Sequence, residues 1–206
     1  MRKPKQPEQN RARIVQAAIE EFAGRGIKGA RMDAIAARTR TTRAMINYYF
    51  GTKERLYLAA LEHVYRGIRE AEARLELEHL SPVDAMRRIV EFTFDYYLAH
   101  PSFVSLVVAE NQAKGRHMRK LRSMRALNVS IIDTLARVIA RGRGEGSFRA
   151  EADALDVHMA ISALGFFNVA NQHTFGIIFG RALGAAGDVA QRRALVTDIV
   201  LRYVQR

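Results

Sequence analysis

Thr42, Arg43, Ala44, Met45, Asn47, Tyr48 and Tyr49 form one short run that carries hydroxyl, guanidinium, methyl, thioether, amide and phenol groups. Such groups hydrogen-bond base edges, touch a thymine methyl and hold phosphates in the major groove of duplex DNA. That chemistry needs a rigid rod to present it. Ile46, Tyr49 and Phe50, at i, i+3 and i+4, give the run an apolar helical face, and Thr41 and Thr42 supply hydroxyl N-caps. Just upstream, Met32, Ile35, Ala36 and Thr39 align on a helical face of their own. Two short helices joined by a few residues read as a helix-turn-helix with Thr42 to Phe50 as its recognition helix. Short amphipathic pairs occur in many proteins, and an outer-face Arg is usually only solvated, so the order of the residues has to carry more of the argument than periodicity.

Around this pair the spacing predicts a supporting helix over Asn10 to Arg25, with Val15, Ala18, Ile19 and Phe22 inward and Gly26 as its stop. Residues 1–9 carry Lys3, Lys5 and two prolines, and read as a flexible basic arm, either a minor-groove or phosphate contact or a terminus with no role. Thr52 caps the next helix, in which Glu54 suits the dipole. That helix is predicted over 53–78, with Leu56, Ala60 and Val64 inward and Arg66, Arg69, Glu70, Glu72 and Arg74 on a charged outer face. At 1.5 Å per residue it would be about 39 Å long, a natural lever between the DNA-facing part and the C-terminal helices.

Composition bounds the function. The chain has 206 residues and 49% hydrophobic content, enough for a globular core, and its 33 Lys and Arg against 21 Asp and Glu give a net charge of +12. Such a charge attracts a polyanion, DNA or an anionic membrane surface. No cysteine is present, as suits a reducing cytosol, and MRKPKQPEQN lacks the apolar core of a signal peptide, so a cytoplasmic protein is expected. Met159 to Phe179 is apolar over about a bilayer span, but Asn168, Asn171, Gln172 and His173 interrupt it, which favours a buried helix and no membrane partner.

Nothing points to catalysis, a metal or a cofactor. HExxH, GxSxG in a strand-turn-helix setting and a P-loop are missing, and the six histidines are scattered. RGRGEGS at 141–147 has alternate glycines but neither a preceding strand nor a following Lys-Thr or Lys-Ser, and reads as a plain loop. Gly115-Arg116-His117 with Arg119 is a cationic cluster that could receive a carboxylate, but reads better as a solvated turn.

The string INYYFGTKERL at 46–56, with MDAIA at 32–36 and Ile14 to Phe22 followed by Gly26, resembles the DNA-binding domain of the tetracycline-repressor (TetR) family of bacterial transcription regulators, from about Arg11 to Leu61. The family signature is an aliphatic residue, three mostly aromatic positions, a Phe, and a short turn ending in Lys-Glu. The resemblance implies an all-α protein: a three-helix helix-turn-helix domain, followed by a roughly six-helix bundle for ligand binding and dimerisation. It also implies that Lys53 contacts the DNA backbone, that the last two helices form a homodimer interface, and that repression is the usual mode. Three positions depart from the family. Arg31 stands where Thr or Ser commonly caps, which loses a cap and offers a phosphate contact. Thr39-Arg40 replaces Ala-Gly in the turn, so either the turn differs or Arg40 takes a strained positive φ with its charge facing DNA. Asn47 replaces an aromatic residue, and reads adenine or holds a phosphate.

The expected domains are therefore an arm at 1–9, the helix-turn-helix domain at 10–52, and a ligand-binding and dimerisation domain at 53–206. In the latter, helices are predicted over Ser81 to His100, Pro101 to Ala113, His117 to Arg141, Ala152 to Leu183 and Asp188 to Gln205, the last with a stripe of Val196, Ile199, Val200 and Tyr203. Phe94, Tyr97, Phe103, Val107, Glu110, Asn111, Phe166, Phe167, Asn171 and His173 face inward, either as core packing, the commoner role for each, or as effector contacts, a mix suited to a mid-sized, mostly apolar molecule with a polar group. The expected partners are a palindromic double-stranded operator, a second copy of the chain and a small-molecule effector. The rival reading is a basic protein that associates with DNA non-specifically and has no effector.

Overall fold

The side-chain spacing predicts an all-helical chain, and the computed structural model, which describes residues 6–181 and 183–206, is built of helices: α1 (Gln6–Gly29), α2 (Met32–Thr39), α3 (Arg43–Phe50), α4 (Lys53–Glu72), α5 (Pro82–Ala99), α6 (Pro101–Gln112), α7 (Ser123–Gly144), α8 (Ala154–Ala170), α9 (Gln172–Phe179) and α10 (Ala186–Val204), with one 3₁₀ turn at Met118–Lys120. The chain divides into two compact units, one comprising the chain up to Gly67 with Ser105–Met124, the other Ile68–Val104 with Arg125–Arg206. This is a different division from 10–52 and 53–206, because a stretch from the middle of the chain belongs with the N-terminal helices.

In the first unit α1 packs on α2 and α2 on α3. Ile14, Ala18, Phe22, Ile35, Ile46, Leu56 and Tyr57 are buried, and the Phe22 and Tyr57 rings meet edge to face at 5.1 Å. Gly26 departs from helical geometry at its expected position, although helix resumes as far as Gly29. Lys3 and Lys5 of the expected arm lie outside the described residues, whereas Gln6–Gln9 already belong to α1.

In the second unit α5, α8 and α10 pack on one another around Met86, Ile89, Val90, Phe94, Val157, Ile161, Val196 and Val200. Ser81 Oγ accepts from the Asp84 N–H, with Pro82 opening α5. Four expected boundaries change. α4 ends at Glu72 rather than 78, about 30 Å long, because Leu75, Leu77 and Leu80 leave the helix to reach the core, where Leu77 is 5% exposed. Arg141 repairs the freed backbone by donating to the Leu77 carbonyl (3.2 Å) and to that of Leu80. Arg141 to Gly144 are thus helical and not loop. A Cβ on Gly142 would lie 2.2 Å from the buried Phe148 ring, so glycine is required there for close approach and not for a phosphate.

The stretch from His117 begins as a 3₁₀ turn, and α7 starts only at Ser123. Ala152 to Leu183 is not one helix: Asn171 ends α8 at φ −110°, ψ 4°, and α9 comes next. It is not buried throughout either, since Met159, Ile177, Ile178 and Phe179 are mostly exposed. Among the described residues no helix is long and apolar enough to cross a membrane.

Candidate nucleic-acid interface and effector site

The outer face of α3 depends on how its two ends are fixed. Thr42 sits in extended backbone and its hydroxyl accepts the Met45 N–H at 3.2 Å, the N-cap expected of it. Arg40 takes the left-handed conformation, φ 51° and ψ 43°, and closes α2 by donating its N–H to Ala37. The turn keeps the geometry usually given to glycine, and Arg40 bears the strain with its side chain exposed.

Arg31 provides no side-chain cap to α2, and a buried acid does part of that work. Glu21, 2% exposed, accepts the Arg31 N–H at 3.0 Å and lies 3.6 Å from Arg38 and 3.5 Å from Arg25. Arg13 holds the far end of α2 through the Thr39 carbonyl at 2.9 Å. The sequence reading missed both residues. Glu21 falls beside the inward Phe22, and a lone acid at the edge of an apolar stripe is the signal that was available.

With Ile46 and Phe50 buried, the rest of α3 faces outward: Thr42, Arg43, Ala44, Asn47 and Tyr48 are exposed, and Tyr48 is 82% and Met45 43% accessible. Tyr49 is half-buried, edge to face with Tyr48 at 5.5 Å. Arg43 comes no closer than 3.9 Å to Asp33, with both side chains about two-thirds exposed, a pair too solvated to hold the guanidinium back from another partner. Arg31 is exposed beside this face, while Lys53 is half-buried and donates to the Lys28 carbonyl at 3.2 Å, tying the start of α4 to the end of α1. An ammonium has three protons, so that bond leaves others for a phosphate. The result is a rigid, basic face with aromatic, amide and thioether groups standing out from it.

The ten candidate effector contacts fall in both units. Phe94, Tyr97, Phe103 and Phe166 come together in the second unit: the Tyr97 ring stacks on Phe103 at 5.7 Å and meets Phe166 edge-on at 5.9 Å, and its hydroxyl lies 3.4 Å from Ser162 Oγ. A Cβ on Gly165 would lie 3.2 Å from the Tyr97 ring, so that glycine lets α8 approach α5. Val107, Glu110 and Asn111 belong instead to the first unit. There Glu110 is engaged by its own chain: Oε1 accepts the N–H groups of His117 (2.7 Å) and Met118 (2.9 Å), and Oε2 lies 2.9 Å from His117 Nδ1 and 3.3 Å from the Tyr57 hydroxyl. Burial works to raise the Glu110 pKa but is outweighed by the Met118 and His117 hydrogen bonds, so it falls below the usual carboxylate value. His117 is accordingly buried, not part of a solvated turn. Asn111 and His173 are exposed, Asn171 is half-buried, and Phe167 is 42% exposed with its ring against Phe175.

Two residues assigned to a solvated face are buried instead. Arg69 and Glu72, each 8% exposed, form an ion pair at 3.0 Å. Glu72 continues the spacing of Leu61, Val64 and Ile68, which is the sign that was available. Burial raises the Glu72 carboxyl to about 7 against the pull of Arg69, and burial, then the Arg69 charge, lowers His158 to about 4. Among the described residues no group of acids and histidines could hold a metal ion.

Comparison with known proteins agrees with this arrangement. A family model described as bacterial regulatory proteins, tetR family, matches residues 14–60, and one described as the tetracyclin repressor-like C-terminal domain matches residues 82–200. The chain is 33% identical over 201 residues to the transcriptional repressor NicS of Pseudomonas putida, covering 98% of this chain and 95% of that protein. Its fold is shared with a TetR-family regulatory protein from Rhodococcus RHA1 (TM-score 0.74, 20% identity, 96% and 97% of the two chains). A TetR transcriptional regulator from Chloroflexus aurantiacus is similar to the same degree (TM-score 0.73, 19% identity, 98% and 99%). A capped recognition helix with a basic, aromatic outer face, matching family models for both parts of the chain and a repressor similar along nearly its whole length identify this protein as a sequence-specific DNA-binding transcription regulator of the TetR family.

Proposed function

We propose that the protein is a cytoplasmic, ligand-released repressor that binds a palindromic operator as a homodimer. The observation that carries the reading is the outer face of α3, where Arg43, Met45, Asn47 and Tyr48 stand exposed on a helix fixed by Thr42 and Arg40. Arg43 and Asn47 read base edges, Met45 and Ala44 meet thymine methyls, and Arg31, Arg40, Lys53 and the tyrosine hydroxyls hold phosphates. The name of the Pseudomonas relative supports repression as the mode.

Dimerisation through α8 and α10 is supported by apolar side chains left exposed at helical spacing on both: Leu155 and Met159 on α8, and Leu195, Ile199 and Tyr203 on α10. A two-fold pair of recognition helices about 34 to 36 Å apart fits half-sites one helical turn apart. An effector that favours a different separation needs about 1.4 kcal/mol of differential binding to change occupancy tenfold.

Selection of bound sequences from a random duplex library at about 150 mM salt tests the reading, since non-specific attraction is partly screened there. The expected result is one enriched palindrome, favoured over unrelated DNA by roughly 10³-fold or more. Binding that only fades with salt, with no enrichment, would support non-specific association instead.

A further inference from the structure

The second unit buries more polar groups than it satisfies. Arg69 Nε and Nη1, both carboxylate oxygens of Glu72, and both amide atoms of Asn168 are buried without a hydrogen-bond partner. The Arg69–Glu72 contact is a charge contact without hydrogen-bond alignment. Asn168, 1% exposed, lies on the buried face of α8 with Ile161 and Gly165, the face that meets Tyr97. Buried polar groups in native proteins are nearly always paired, and a buried ion pair repays its desolvation only when its remaining lone pairs and protons are met.

The two partners are not equal in how they can respond. A buried carboxyl sheds its charge by taking a proton, and that of Glu72, raised by burial to about 7, does so near neutrality. A guanidinium cannot. The groups around the pair are Arg69 and Glu70 on α4, Tyr96 and Tyr97 on α5 and His158 on α8; the tyrosines are pushed up by burial and the histidine down, so all three are neutral at pH 7. What persists beside Glu72 is the positive charge of Arg69, close enough to Tyr97 to act on its hydroxyl, and the Tyr97 ring in turn touches Phe103 and Phe166.

Resting on the reading of the protein as a ligand-released repressor, we infer that its effector is a small organic acid with a planar or short apolar body, whose carboxylate displaces Glu72 from the Arg69 guanidinium. The body lies against Tyr97, Phe103 and Phe166. Glu72, freed of its partner beside an anion, takes up a proton and donates that hydrogen, so binding of the acid is coupled to proton uptake. A neutral amide of the same shape gains neither the charge pairing nor the proton.

The test uses the full chain with benzoate and benzamide as probes, titrated calorimetrically at pH 6.5 and 8.5. Benzoate is expected to bind saturably and at least about tenfold more tightly than benzamide, with affinity falling up to about tenfold per pH unit above 7. Arg69→Gln is expected to lose that preference. Glu72→Gln, which keeps the cation, is expected to bind benzoate more tightly at pH 8.5 and without the pH dependence, so the assignment stays testable should Arg69→Gln fail to fold. Equal affinity for the two probes, no saturable benzoate binding at millimolar concentration, or benzoate binding unchanged in a folded Arg69→Gln overturns it. An enriched palindrome with no benzoate binding removes the organic acid and leaves the repressor standing. Benzoate bound through Arg69 with no enriched palindrome does the reverse.

Discussion

Two of the buried acids, Glu110 and Glu72, stand in opposite conditions. Glu110 in the first unit accepts from two backbone N–H groups, a histidine ring and a tyrosine hydroxyl, so all its capacity is spent on its own chain. Glu72 in the second unit has one opposite charge nearby and no hydrogen bond. Saturation pulls the first pKa down and want of partners pushes the second up. A satisfied buried acid is a fastener, here fixing the turn after α6 against α4. An unsatisfied one is poised to respond to something that arrives.

The comparison can be broken most severely at Glu110. Glu110→Leu leaves the His117 and Met118 donors buried and unmet, and is expected to cost about 3 kcal/mol or more, read as a fall in thermal midpoint. Glu72→Leu should cost clearly less, since it strands only Arg69; equal losses would erase the distinction. Next in size are effects on DNA: Arg43→Ala is expected to lose about 1–3 kcal/mol on the cognate site and relax preference at one base. Lys53→Ala should weaken all sequences alike and lower the salt slope by about one. Equal effects of both on cognate and random duplexes would remove Arg43 as a reader.

Acidity sharpens the same contrast, with opposite signs for the two acids. Glu110, depressed in the folded state, contributes stability that is present above its unfolded value and lost as pH falls through the folded one. Glu72, raised to about 7, contributes most below its unfolded value and loses that contribution as pH climbs through 7. Denaturant midpoints of Glu110→Gln and Glu72→Gln against the parent, measured from pH 4 to 9, should therefore part in opposite directions as pH rises: Glu110→Gln falls below the parent above the carboxylate range, and Glu72→Gln rises above it as pH climbs through 7. The smallest effect is expected at Arg40, where Arg40→Gly relieves a left-handed residue and gains less than about 1 kcal/mol, because glycine also loosens the unfolded chain.

The same residues show what was legible in the sequence. Thr42 and Thr52 cap as their types and positions require, and the αL turn at Arg40 accords with the resemblance to a family with glycine there. Those are local rules, in which a residue's neighbours in sequence are its partners in space. Charge alone puts Arg69 and Glu72 on a solvated face, yet both are buried, and the groups that feel Arg69, Tyr96 and Tyr97 on α5 and His158 on α8, are far along the chain. At Glu110 nothing local announces that its oxygens are met by residues seven and eight positions later and by Tyr57. Asn171 splits an apolar run that periodicity treats as continuous.

The Arg141 clamp on the carbonyls of Leu77 and Leu80 bears on how the protein survives in a cell. A leucine-rich, non-helical connector between two helices is where a protease can draw chain into its cleft. Held from the side by a guanidinium and anchored through Leu77, this one cannot easily lift away to be threaded. Resistance to degradation would then rest on a residue outside the recognition helix, and Arg141→Met should be nicked by thermolysin between α4 and α5 while the helices themselves persist.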